Sequence, residues 1–179
     1  MEVSNMELRR LNFYRASELH GGLLLGQLVR RVRDPQLMLD LTRHSAEEVV
    51  HAQLWTETIL AVGGQPRPVR DTYQARYAMA VGFTLGLLDV LALTQVFERR
   101  VYRHFLDHAR VPGTHPTVRA TLLRMVEEEK SHLTWVKRWL DQQAEKRPFA
   151  VRSAMDRFGR IDRTIYRELL IEYDFRRAA

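Results

Sequence analysis

The sequence predicts an all-α protein: a four-helix bundle built from two helical hairpins and a crossover loop, followed by a C-terminal amphipathic helix. Two observations support this fold class. Apolar residues recur every three or four positions over long stretches, and the few glycines and prolines fall mostly between those stretches. A chain of 179 residues also suits one domain with a substantial core. We expect the bundle over residues 1–146 and a helical extension over residues 147–179.

The composition excludes several classes of site. The chain contains no cysteine, which rules out disulfides, thiol nucleophiles, cysteine-bound zinc and cysteine-ligated iron–sulfur clusters. Residues 1–10 are polar and show no signal-peptide pattern, so we expect a cytoplasmic protein. The apolar run over residues 78–97 is about long enough to cross a bilayer, but Asp89 lies in its middle, where a charge is costly. We therefore interpret this run as a buried bundle helix.

The first predicted hairpin begins at Ser4, which with Glu7 forms a capping box. Glu18 lies in the middle of its first helix, on an otherwise apolar face, and a lone carboxylate there is expensive to bury unless it is paired or bound to metal. Gly21 and Gly22 follow one turn later. Because glycine lowers helix stability, two in succession indicate that space is needed for a neighbouring backbone or a ligand.

The second helix of this hairpin is predicted to start at Asp34-Pro35 and to end at Gly63-Gly64. A short turn between two long helices makes them antiparallel neighbours. Glu18 lies 16 residues before the turn at position 34 and Glu48 lies 14 after it. The two carboxylates should therefore sit at similar heights in the hairpin, roughly 20–24 Å from the turn.

The second hairpin repeats this arrangement. Residues 63–71 are rich in glycine, proline and charge and predict a crossover loop, after which Asp71 or Thr72 caps a third helix that runs to about Ala109. A fourth helix should start at Pro116 and run to about Glu145. Further on, apolar residues at steps of three or four predict one more amphipathic helix within residues 149–179.

Two Glu-x-x-His motifs contain residues suited to binding metal ions. One motif lies on the second predicted helix and the other on the fourth. Residues i and i+3 share a helix face, so each motif directs a carboxylate and an imidazole at one point. A single glutamate precedes each motif, by 30 residues in the first half and by 31 in the second. Carboxylate oxygen and imidazole nitrogen suit iron, manganese or zinc, and two divalent ions would neutralise four glutamates. The predicted metal ligands are Glu18, Glu48, His51, Glu98, Glu129 and His132.

These six residues resemble the ligand set of the ferritin-like di-iron carboxylate superfamily, which includes bacterioferritin, rubrerythrin, cyanobacterial aldehyde-deformylating oxygenase and demethoxyubiquinone hydroxylase. The resemblance covers residues 1–146 as architecture. It implies two iron ions, or manganese or a mixed Mn/Fe pair, with Glu48 and Glu129 bridging and coordination positions open to dioxygen or peroxide. It also implies supporting roles for Glu47 and Glu128, although both could equally lie on solvated faces.

Departures from that family narrow the expected function. Rubrerythrin has an additional carboxylate one turn after its third-helix glutamate, where this chain has Val101, and it often carries a cysteine-bound domain that is absent here. Both departures disfavour a rubrerythrin-type peroxidase. The predicted neighbours of the ligands are apolar or aromatic, which fits either a plain bundle core or an oxidase that acts on an apolar substrate: Tyr14, Leu25, Trp55, Leu91, Tyr102, Phe105, Leu122, Leu133 and Val136.

The leading functional prediction is therefore a di-iron oxidase or oxygenase that uses dioxygen, a small organic substrate and an external electron donor. Tyr102, four residues after Glu98, is the candidate redox-active or hydrogen-bonding phenol, and His44, four before Glu48, is a lesser candidate ligand or hydrogen-bond donor.

Other functions stay open. The ligand set alone also allows a ferroxidase, a peroxide scavenger, or a bundle in which metal serves only structure. The net charge of +6 and the basic C-terminal region are compatible with an RNA-modifying hydroxylase or with binding to a membrane surface. A solvated helix face is the more ordinary explanation of these charges. The apolar stripe of the last helix packs either on the bundle or on a second subunit, which would make a homodimer.

Overall fold

The computed structural model describes residues 2–82 and 85–175, and every regular element among them is an α-helix, which confirms the predicted all-α class for this part of the chain. Unit 1 comprises Met1–Arg76 and His115–Thr121, and unit 2 comprises Tyr77–Thr114 and Leu122–Ala179. The helices are α1 (Asn5–Val29), α2 (Pro35–Ala61), α3 (Tyr73–Val81), α4 (Leu87–Arg110), α5 (Pro116–Lys146) and α6 (Pro148–Glu172).

Unit 1 is organised by the hairpin of α1 and α2, which pack against each other. Both predicted N-caps form: Ser4 Oγ accepts a hydrogen bond from the Glu7 backbone N–H at 3.1 Å, and Asp34 Oδ1 accepts one from Leu37 at 2.7 Å. Each cap satisfies a backbone donor that has no partner within its own helix. The core between the two helices includes Leu11, Leu41, Trp55 and Ile59, all fully buried.

The crossover loop is fastened to α1 by side-chain hydrogen bonds. At its start, Gly63 has a φ of +79°, which reverses the chain after α2. Asn12 then donates from Nδ2 to the Leu8 carbonyl at 2.8 Å and accepts at Oδ1 from the backbone N–H of Arg67. Arg15 donates to the Arg67 carbonyl at 2.9 Å. The loop is therefore extended, as predicted, and held along the helix that carries Glu18.

The prediction of one continuous third helix that reaches Ala109 is wrong, because the chain forms two helices, α3 and α4, over this range. Thr72 starts α3 as predicted, its Oγ1 accepting the Ala75 N–H at 3.2 Å. Gly82 adopts a φ of +76°, outside the helical region, and Gly86 becomes the N-cap of α4. The break divides the apolar run over residues 78–97. Among the residues that the structure describes, no helix combines the length and the apolarity that a membrane crossing requires.

Helices α5 and α6 follow the predicted pattern. The Thr117 backbone N–H donates to His115 Nδ1 at 3.2 Å, where the α5 N-terminus was expected. Within unit 2, α6 packs against α4, and the buried apolar residues of α6 include Val151, Phe158 and Leu169. Where α6 contacts α4, the apolar stripe predicted for the C-terminal region is therefore buried within the chain itself.

A buried carboxylate of unit 2 binds two side chains of the same unit that belong to other helices. Asp162 on α6 accepts a hydrogen bond from the Tyr77 hydroxyl of α3 at 2.8 Å and two from the Arg100 guanidinium of α4, at 2.9 and 2.7 Å. Such charge-assisted bonds are stronger than neutral ones. Burial, together with the neighbouring Asp162 charge, raises the pKa of the Tyr77 phenol well above its usual range. The contact therefore fixes α6 on α4 and keeps Tyr77 protonated.

We expect Asp162→Ala to lower the free energy of unfolding by about 2–4 kcal/mol, because it leaves the half-buried Arg100 charge and the Tyr77 hydroxyl without their acceptor. Urea denaturation measures the change. The control is Asp156→Ala, an exposed aspartate of the same helix, for which a change within about 0.5 kcal/mol is expected. Equal losses for the two variants would contradict the anchoring role.

Tyr77 should also make stability depend on pH. Its pKa is raised in the folded state, so the unfolded state ionises first, above about pH 10. The stabilisation is therefore complete below that pH and is lost as the pH rises, by at most about 1.4 kcal/mol per pH unit. We expect wild type to lose stability more steeply than Tyr77→Phe between about pH 9 and 11. Parallel profiles for the two proteins would show that Tyr77 ionises normally.

Candidate metal centre

Buried glutamate and histidine side chains form groups that could hold a metal ion. In unit 1, the hairpin brings together Glu18 of α1 with Glu48 and His51 of α2, each no more than 4% exposed. One donor atom from each of the three lies within 4.8 Å of the others. Two ligands of one ion, each at about 2.1 Å, are at most about 4.2 Å apart. The three donors therefore need only a small adjustment to share an ion.

The paired glycines of α1 explain how Glu48 fits against this helix. A Cβ at Gly21 would lie 2.9 Å from Glu48 Oε2, and one at Gly22 would lie 3.0 Å from the Ser45 carbonyl oxygen. Ser45 also donates from Oγ to the Gly22 carbonyl at 2.7 Å, which closes the two backbones together. The space inferred from the glycine pair is therefore a notch that admits the α2 backbone and the Glu48 carboxylate.

His44 contacts the Glu48 carboxylate directly, which its sequence position only weakly indicated. It is 1% exposed, and its Nε2 lies 3.2 Å from Glu48 Oε1. Because the notch at Gly21 faces Oε2, the two oxygens of this carboxylate face different neighbours. An imidazole N–H on one oxygen fixes the orientation of a ligating carboxylate, as hydrogen bonds to metal ligands commonly do.

Unit 2 contains the other three predicted ligands. Glu98 of α4 and Glu129 and His132 of α5 are all at most 3% exposed. His132 Nδ1 lies 2.8 Å from Glu129 Oε2, so the second Glu-x-x-His motif converges on one point as its spacing predicts. Donor atoms of Glu98 and His132 also lie within 4.8 Å of each other. His132 thus lies close to two carboxylates from different helices.

The donor set and its burial both fit hard or borderline metal ions. All six residues offer oxygen or imidazole nitrogen and none offers sulfur, which favours iron, manganese or zinc over copper(I) or an iron–sulfur cluster. Burying a carboxylate costs several kcal/mol unless charge compensates it. A divalent cation supplies that compensation directly. The residues present therefore fit a metal ion on grounds of chemistry as well as of distance.

The remaining predicted site residues lie closer to solvent. Tyr102 is half-buried. The pKa of the nearby Lys130 ammonium is raised, mainly by its hydrogen bond to Glu127 and to a small extent by its electrostatic interaction with Tyr102. Its proposed redox role stays a prediction. Glu47 is exposed, and Glu128 pairs with Arg124 at 2.8 Å. Glu47 thus has the solvated position that was the alternative to a supporting role, whereas Glu128 is half-buried and paired with an arginine.

Most of the predicted apolar neighbours are core residues. Seven of them are buried, namely Tyr14, Leu25, Trp55, Leu91, Phe105, Leu122 and Val136, whereas Tyr102 and Leu133 are half-buried. Tyr14 of α1 packs against Trp55 of α2 with ring centroids 5.2 Å apart. The ligands of unit 1 therefore lie on helices whose shared face is aromatic and apolar.

One polar residue near the notch was not predicted. The Gln74 side-chain nitrogen lies 3.2 Å from the Cβ position of Gly21, on which the Glu48 carboxylate also converges. Gln74 is buried, and its Oε1 accepts no hydrogen bond from the described residues. Only its position just after the Thr72 cap could have indicated it, because a lone glutamine has no metal-site pattern.

Comparisons with models of protein families, with curated proteins and with solved structures found no match. The donor groups of the chain itself therefore have to support any assignment of function.

We expect Gly21→Ala to reduce metal affinity by at least about tenfold, because the new methyl group displaces the Glu48 carboxylate. Stability should change little, since a flexible side-chain end can move and alanine favours the helix by up to about 1 kcal/mol. Isothermal titration with Mn(II) and thermal unfolding measure the two effects. The control is Gly159→Ala on α6, where a Cβ meets only the Arg163 side chain, at 3.7 Å. Unchanged Mn(II) affinity in Gly21→Ala would contradict the notch.

Proposed function

We propose that the chain is a ferritin-like dimetal carboxylate protein in which the six predicted ligands hold two metal ions, with iron as the native metal and manganese or a mixed pair as alternatives. One observation carries the proposal. Each unit contributes a buried Glu-x-x-His motif, and each motif has a buried glutamate from another helix within reach of its donors. A single motif of this kind would be weak evidence, whereas two matched ones on separate hairpins are specific.

The total charge of the buried glutamates supports the proposal of two metal ions. Four buried glutamates carry four negative charges, two divalent ions carry four positive charges, and the imidazoles bind in their neutral form. Glu18, Glu48, Glu98 and Glu129 would hold the two ions together with His51 and His132. Six protein ligands leave coordination positions open for an exogenous molecule.

The activity that this site supports best is that of an oxidase or oxygenase. Bound iron would supply Lewis acidity and electrons for dioxygen chemistry. The chain itself supplies the six donors, a hydrogen bond from His44 to Glu48 and a buried apolar environment on the ligand-bearing helices. Oxygen insertion into a substrate C–H bond reduces the second oxygen atom to water and consumes two electrons and two protons, so an external two-electron donor is required.

Anaerobic loading with Fe(II), followed by addition of oxygen, tests the proposal. We expect two iron ions per chain and rapid oxygen consumption, measured by iron analysis and an oxygen electrode. Glu48→Gln should lose most of the iron, because an amide is a far weaker ligand than a carboxylate. Glu57→Gln, at an exposed glutamate of the same helix, should behave as wild type. Failure to take up iron, or tight zinc binding with no response to oxygen, would refute the proposal.

Two further measurements separate the proposed activity from its nearest alternative. A ferroxidase or storage protein consumes oxygen in fixed proportion to added Fe(II) and assembles into a large hollow oligomer. An oxidase of organic substrates instead needs reductant and forms a monomer or small oligomer. Oxygen uptake with catalytic iron and excess ascorbate, together with size-exclusion chromatography, distinguishes the two. A fixed ratio of oxygen consumed to Fe(II) added, together with a particle of the size of a ferritin cage, would show that the protein is a ferroxidase and not an oxidase of organic substrates.

A further inference from the structure

The hairpin of α1 and α2 exposes an unusual share of apolar side chains. Among the described residues, seven of the eleven exposed large apolar side chains belong to these two helices, so they are clustered and not scattered singly. Each of the seven is between 37% and 58% exposed, and they are Leu19, Leu23, Met38, Leu39, Val49, Val50 and Leu60. Clustered exposed apolar surface commonly marks a site that binds another macromolecule.

The exposed side of α2 has the residue spacing of a coiled-coil seam. Seven exposed residues follow one another at alternating steps of four and three positions, an average of 3.5. We call them the α2 stripe: Leu39, Arg43, Ala46, Val50, Gln53, Glu57 and Leu60. This spacing keeps the α2 stripe on one side of the helix for about 32 Å, a length over which a second helix can pack.

The α2 stripe is complementary to itself in the antiparallel direction. Leu39 and Leu60 form its two ends, and Val50 lies at its middle. Arg43 lies seven residues before Val50 and Glu57 seven after it, about 10.5 Å to either side. A two-fold axis through Val50 therefore places Arg43 of each copy opposite the partner's Glu57, and brings Leu39 level with the partner's Leu60.

The charges of Arg43 and Glu57 cannot pair within one chain. They lie 14 residues apart on the same helix, about 21 Å along its axis. Within the chain, Glu57 Oε1 accepts a hydrogen bond only from an uncharged group, the Gln53 amide, at 2.8 Å. A second antiparallel copy supplies the opposite charge to both residues at once, whereas a membrane surface supplies no such match.

Helix α1 widens this surface near the middle of the α2 stripe. Val49 Cγ2 lies 3.0 Å from the Cβ position of Gly22, so Gly22 is level with Val49. The exposed side chains of Leu19 and Leu23 lie on α1 at either side of Gly22. The surface therefore has an apolar centre with charged residues further out, which is the usual anatomy of a protein–protein interface.

We propose that the chain forms a homodimer through this face, with the two α2 helices antiparallel across a two-fold axis at Val50. The apolar centre is buried between the two copies, and one Arg43–Glu57 pair forms on each side of it. The dimer needs no bound metal, because the α2 stripe is exposed whereas the ligands Glu48 and His51 are buried on other sides of the helix.

Sedimentation equilibrium of the full chain tests the dimer. We expect wild type to be dimeric at micromolar concentration. Val50→Glu should raise the Kd of the dimer at least about a hundredfold, because the two copies of the new carboxylate meet at the axis. The control is Ile171→Glu, which places the same charge at an exposed apolar position of α6 and should leave the Kd unchanged.

A charge exchange tests the antiparallel pairing. Arg43→Glu and Glu57→Arg should each raise the Kd at least about tenfold, because like charges then face each other across the interface. The double variant should return the Kd to within about threefold of wild type. Recovery of this kind requires contact between two copies, since the two side chains are too far apart to interact within one.

Every substituted position is exposed, and circular dichroism checks that each variant is folded. Iron uptake should equal that of wild type in all of them, which separates the dimer from the proposed metal site. A monomer at every concentration, a Kd raised equally by Ile171→Glu and Val50→Glu, or no recovery in the double variant would overturn the inference. Cosedimentation of a monomeric protein with phosphatidylglycerol vesicles, lost in Val50→Glu, would assign the face to a membrane surface instead.

Discussion

The burial of four carboxylates is the constraint on which the rest of the structure depends. Glu18, Glu48, Glu98 and Glu129 are all at most 4% exposed, and removal of each from water costs several kcal/mol unless positive charge compensates it. A core that served packing alone could hold leucine or methionine at these positions without electrostatic cost. The four buried carboxylates and the two buried Glu-x-x-His histidines therefore form groups that could hold a metal ion.

The scaffold around these carboxylates positions them by simple means. A hairpin with a short, capped turn sets the heights of Glu18 and Glu48, and the glycine notch lets α1 approach α2 closely enough for the two to meet. In unit 2, the buried Asp162 ion pair attaches α6 to the helix that carries Glu98.

Much of this organisation could be predicted from the sequence because it depends on local rules. The Ser4 and Asp34 caps, the hairpin turn and the i, i+3 convergence of Glu129 and His132 each involve residues close together in the chain. The break between α3 and α4 escaped prediction because a single glycine in an apolar run is also compatible with a continuous helix, whereas Gly82 adopts a φ of +76°. The Asp162 contacts with Tyr77 and Arg100 escaped for a different reason. They join residues 85 and 62 positions apart, and no spacing rule relates them.

We propose that the six buried glutamate and histidine ligands hold two metal ions. Anomalous diffraction from crystals grown with Mn(II) or, anaerobically, with Fe(II) tests it most directly. We expect two peaks at the edge of the metal, about 3.5–4 Å apart, both within bonding distance of Glu48 and Glu129. His51 should bind one of these ions and His132 the other. A single peak, or ions bound only at exposed carboxylates while the six predicted ligands stay unoccupied, would refute the proposed dimetal site.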